Sequence, residues 1–170
     1  MKPNLRRSEF LSYIAACILG VLFHFVYDWT NQNFLLGLFV PVNESTWEHL
    51  KLVFFPILIL SLIEYFFLGI RHNNFICIKF RSTLMGMIAT VVLFYTYTGI
   101  LGKNVDFINI FIYFVAMTLS YCYSFHKLKK ESTGDSSSQK CFLGFCIMIL
   151  LFAYLTVFPL PIGLFKSPIG

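Results

Sequence analysis

Charge is what this chain has least of. Only 12% of its 170 residues are Asp, Glu, Lys or Arg, while 58% are hydrophobic and 19% aromatic. A soluble domain averages roughly 25% charged and 45–50% apolar residues, so an ordinary water-soluble globule is excluded. The thirteen Lys and Arg outnumber eight acids and give a net charge of +5. They stand in the breaks between apolar runs and do not cluster on one face, which excludes a nucleic-acid partner. The five cysteines show no zinc or redox spacing. There is also no internal repeat of the kind many secondary transporters carry.

What remains is apolar sequence in long runs. A spanning helix takes about 20 such residues, and runs at 10–29, 46–70, 82–101, 107–125 and 141–158 predict an all-α integral membrane bundle of five transmembrane helices in a single domain, 1–170. The first run follows Lys2, Arg6 and Arg7 but exceeds the roughly 7–15 apolar residues of a cleaved signal, so it reads as a retained span. Segment 34–40 is too short to cross and is either re-entrant or interfacial. Segment 126–140, with Lys127, Lys129, Lys130 and Lys140, reads as a solvated loop. Beyond it, Pro159, Pro161 and Pro168 prevent helix from continuing past the fifth span.

Cytoplasmic loops carry an excess of Lys and Arg. A cytoplasmic N-terminus places ten of the thirteen on that side, including Arg71, Lys79 and Arg81 in one connection, and leaves Lys51, Lys103 and Lys166 on the other. Five spans then put the C-terminus outside, in a multi-pass protein of the cell (inner) membrane. The same topology holds Cys17, Cys77, Cys122, Cys141 and Cys146 in or near the reducing side, so no disulfide is expected. His72 and His126 fall in cytoplasmic connections and read as solvated.

The chain is organised around Pro41-Val42-Asn43-Glu44-Ser45-Thr46-Trp47-Glu48-His49-Leu50-Lys51, a polar stretch between apolar runs. Ser45 to Glu48 fits a capping box for the second span, and Asn104 or Asp106 is available to cap the fourth. Antiparallel spans bring His24, Asp28, Glu44, Glu48, His49 and Lys51 to one level near the external face, with Asn43, Tyr95, Tyr97, Asn109 and Tyr154. His24, Asp28 and His49 are candidate ligands for a divalent metal such as zinc, with Glu44 or Glu48 as general base. The bland alternative is that Glu48 caps its helix and pairs with Lys51, His24 pairs with Asp28, and the aromatics form an interfacial belt. Glu64 stands apart, roughly 21 Å along the second span. It reads either as a proton or cation relay or as a hydrogen-bonded carboxyl facing another helix.

At Phe23-His24-Phe25-Val26-Tyr27-Asp28-Trp29, at Pro41 through Leu52 and at Tyr95-Thr96-Tyr97-Thr98-Gly99, the chain resembles a family of small prokaryotic multi-pass membrane proteins of uncharacterised function. The resemblance implies a bacterial or archaeal inner-membrane protein and supplies no activity, cofactor or catalytic residue. Three functional classes follow from the residues. One is a metal-dependent membrane-embedded hydrolase acting on a lipid or small amphiphile. Another is a small-solute or ion transporter with Glu64 as relay, which, lacking a repeat, needs a homo-oligomer. The last is a non-catalytic membrane partner.

Overall fold

The computed structural model describes residues 4–67, 74–130 and 138–168. Among these residues there is no strand. Five helices are long and apolar enough to cross a membrane: α1 (Leu5–Trp29), α3 (Thr46–Phe67), α4 (Phe75–Leu101), α5 (Asp106–Lys129) and α6 (Ser138–Val157). A short α2 (Phe34–Gly37) lies between α1 and α3, and a single 3-10 turn, Gly163–Phe165, follows α6. His72, Arg71 and Lys2 lie outside the described residues, as do the last residues of the 46–70 run and residues 131–137; the rest of the expected loop 126–140 is largely helix, since α5 runs to Lys129 and α6 begins at Ser138.

Helix α3 is the most buried of the five. It packs on α1 and α4, with α5 against α1 and α4, and α6 against α4. Its Leu50, Val53, Phe54 and Ile57 meet Ala16, Met117 and Phe152 in one buried cluster. The outward faces are apolar as well: Phe10, Ile18, Ile88, Phe107 and Leu150 are each more than half exposed. A helix apolar all round suits lipid, where association rests on close backbone approach and polar contacts. Both occur at Gly20. Pro56 cannot donate to the Leu52 carbonyl, and a Cβ on Gly20 of α1 would stand 2.7 Å from that oxygen and collide with the Tyr113 hydroxyl. Tyr113 of α5 donates to Ala16 O and Cys17 O at 3.3 and 3.1 Å. Glycine at this position thus lets α1, α3 and α5 meet.

The connections follow local chemistry. Asn31 and Gln32 adopt φ of 51° and 57° after α1, and the Asn33 side chain caps α2 by accepting from the Leu35 and Leu36 amides at 3.0 and 3.3 Å. Segment 34–40 is one helical turn against α1 followed by a bend, with its Gly37 and Val40 carbonyls accepting from Lys51 of α3. Gly102, at φ 67°, ends α4 in the left-handed conformation. Neither Asn104 nor Asp106 caps α5: the cap position is Val105, without a side-chain bond. The Asn104 oxygen is already taken by Tyr97 and Asn109, each at 2.8 Å.

Two expectations are corrected. Lys79 and Arg81 are not in a connection. Helix α4 begins at Phe75, and Lys79 is 1% exposed within it, because acids on α1 and α3 meet its charge. Cys77 and Cys141 are joined in a disulfide, with Cα atoms 5.0 Å apart. The expectation of free thiols rested on compartment alone. Geometry decides otherwise, since the first turns of α4 and α6 lie side by side within disulfide reach. Cys17, Cys122 and Cys146 are free.

Candidate metal centre

The polar stretch starts with its own scaffold. Asn43 Oδ1 accepts from the Ser45 amide at 2.9 Å, and Ser45 Oγ accepts from the Glu48 amide at 3.4 Å. Only half of the capping box forms, because the Glu48 carboxylate turns away from the Ser45 amide and inward. Its Oε2 accepts from the Val42 amide at 3.0 Å and from Lys51 Nζ at 2.7 Å, while Oε1 accepts from Thr156 Oγ1 of α6 at 2.9 Å. Lys51 Nζ also donates to Gly37 O at 2.7 Å and Val40 O at 3.2 Å. Two fully buried charges therefore tie α2, its following turn, α3 and α6 together.

With the loop fixed this way, Glu44 stands between two imidazoles. Its Oε2 is 3.4 Å from His49 Nε2 and 3.8 Å from His24 Nε2, and the two rings are 5.4 Å apart, centroid to centroid. One donor atom from each residue lies within 4.8 Å of the others. Donor atoms about 2.0–2.1 Å from a tetrahedral zinc are separated by roughly 3.3–3.5 Å, so the spacing approaches that of a ligand set. His49 Nδ1 lies 3.0 Å from Ser45 O. A carbonyl only accepts, so Nδ1 bears a hydrogen and Nε2 is the nitrogen turned toward Glu44. The site is half open, with His49 28% and Glu44 66% exposed at the side chain.

The other residues singled out in the sequence go elsewhere. Asp28 is exposed and stands outside the ligand group. Glu48 and Lys51 belong to the buried scaffold described above. Tyr97 hydrogen-bonds Asn104 and Asn109 and accepts from the Val105 amide at 3.2 Å, bracing the α4 to α5 turn. Tyr95 and Asn104 line a cavity of about 260 Å³ with Thr46, Lys103 and Lys166. Glu64 pairs with Lys79 at the opposite end of the bundle.

Sequence reasoning missed Thr156, Glu9 and Lys79. Thr156 sits amid apolar residues on α6 and carries no local signal, and Glu9 and Lys79 stand just before the apolar runs 10–29 and 82–101, where each passes for a connection charge. No curated protein and no solved structure matches the chain. Residues 4–170 match a single family model from end to end, and the chain belongs to the family of unknown function DUF6512.

Proposed function

We propose that the chain is an integral membrane protein with a divalent-metal centre at His24, Glu44 and His49, and that the metal activates water to hydrolyse a lipid headgroup or similar amphiphile. The observation carrying this reading is the convergence of two imidazoles and one carboxylate from three separate segments. Two His and one Glu form one of the three-ligand sets of catalytic zinc, which keep a fourth position for water. Glu44 becomes a ligand in this scheme rather than a base. Glu48 has both oxygens occupied and acts as a positioning residue for the loop. Asp28, four residues from His24 on α1, is the acid left to accept a proton. Trp29, Phe34 and Leu35, each at least 64% exposed, give the rim an apolar surface suited to an amphiphile. By the lysine and arginine bias, the basic end faces the cytoplasm and the metal centre faces outward, an orientation that requires the Cys77–Cys141 bridge, which lies at the basic end, to persist on the reducing side.

Metal analysis of the purified full-length protein, after zinc loading and gel filtration, tests this. About one equivalent is expected in the native chain. His24→Ala and His49→Ala should each fall to background while eluting as the native protein does. A native chain that retains no zinc, iron or manganese would overturn the metal centre and the hydrolase with it.

A further inference from the structure

At the basic end a second group of charges is buried without balance. Glu9 of α1, Glu64 of α3 and Lys79 of α4 come together with side chains no more than 4% exposed. Lys79 Nζ lies 2.6 Å from Glu9 Oε1 and also pairs with Glu64 Oε2. Among the described residues no other charged group pairs with them. Two carboxylates and one ammonium sum to minus one, and an uncompensated charge in a low-dielectric interior costs several kcal/mol.

The oxygens point the same way. Glu9 Oε2 and Glu64 Oε1 are buried without a hydrogen bond of good geometry, as are Ser61 Oγ, Tyr121 Oη and Ser124 Oγ, the last of these on α5 beside Glu9. Ser61 lies one turn before Glu64 on the same face of α3. The Tyr121 ring, from α5, lies 5.1 Å from the Lys79 ammonium, and Phe75 covers it from 5.5 Å. Tyr13 of α1 packs edge-on against Tyr121. From α6, Cys141 is held in its disulfide. The ammonium is enclosed by rings and two carboxylates, leaving two acid oxygens without a well-formed hydrogen bond.

We infer that Glu9 and Glu64, arranged around Lys79, bind one exchangeable monovalent cation, a proton or a sodium ion. Those two carboxylate oxygens are its ligands, with Ser61, Tyr121 and Ser124 beside them. Glu9 and Lys79 are each the fifth residue of their helices, about 6 Å inside the bundle end, so exchange is with the basic side. The site shares no residue with the proposed metal centre, and either can fail alone.

Infrared spectroscopy of the full chain in lipid nanodiscs, dialysed into sodium-free choline buffer at neutral pH, reads the occupant. One protonated carboxyl band per chain is expected. It should vanish in Glu9→Gln and equally in Glu64→Gln, because each variant leaves one carboxylate for one ammonium. If sodium chloride abolishes the native band, the ion exchanges with the proton; a band indifferent to sodium assigns the site to the proton alone. A native chain with no such band in sodium-free buffer overturns the inference. So does a band that persists in both variants. The Gln variants keep side-chain size, and native gel-filtration profiles confirm that they fold.

Discussion

The two buried charge groups differ in one respect that decides their roles. Lys51 has three ammonium hydrogens and three acceptors in Gly37 O, Val40 O and Glu48 Oε2. Glu48 in turn has a partner on each oxygen. The pair is neutral, saturated and shut, with Lys51 fully buried. At the other end Lys79 faces two acids, and two carboxylate oxygens have no hydrogen bond of good geometry. Ionisable groups at membrane depth are costly in either place. A closed pair spends that cost on holding helices, whereas an open triad keeps a need that a ligand can meet.

Three substitutions probe this contrast. Lys51→Met should have the largest effect, because it strands Glu48 and frees α2 from α3: a loss of about 3–5 kcal/mol in reversible unfolding by denaturing detergent. Retention of native stability would show that the pair holds nothing. Thr156→Val removes one hydrogen bond to the Glu48 carboxylate and should lower stability by about 1–2 kcal/mol in the same assay. No change there would place the α6 attachment in apolar packing instead. Glu64→Gln should be the mildest, within about 1 kcal/mol of the native chain or slightly stabilising, since it turns an unbalanced triad into a balanced pair. A loss as large as that of Lys51→Met would erase the distinction between the two clusters.

Much of the fold can be read in the hydropathy pattern. Five apolar runs become five long helices, with Asn31 and Gly102 marking two of the breaks. Antiparallel order alone is enough to bring His24 and His49 to one end of the bundle. The i,i+3 spacing of Glu48 and Lys51 announced their pairing, though not its burial. The triad was hidden for a physical reason. Lys79 follows Arg71 and precedes Arg81, and a hydropathy window reads it as part of a basic connection. Its partner Glu9 lies 70 residues away in sequence, beyond any local rule. The direction of the Asp28 side chain was equally out of reach, since i,i+4 spacing puts it on the face of His24 without saying which of them meets α3.

The link between Cys77 and Cys141 carries a consequence for handling the protein. It spans 64 positions of sequence, so α4, α5 and the first turn of α6 form one covalent ring. A protease that cuts between Lys130 and Ser138 opens the ring without releasing α6. The nicked chain should migrate as one piece in denaturing gels and separate into two when a thiol reductant is added.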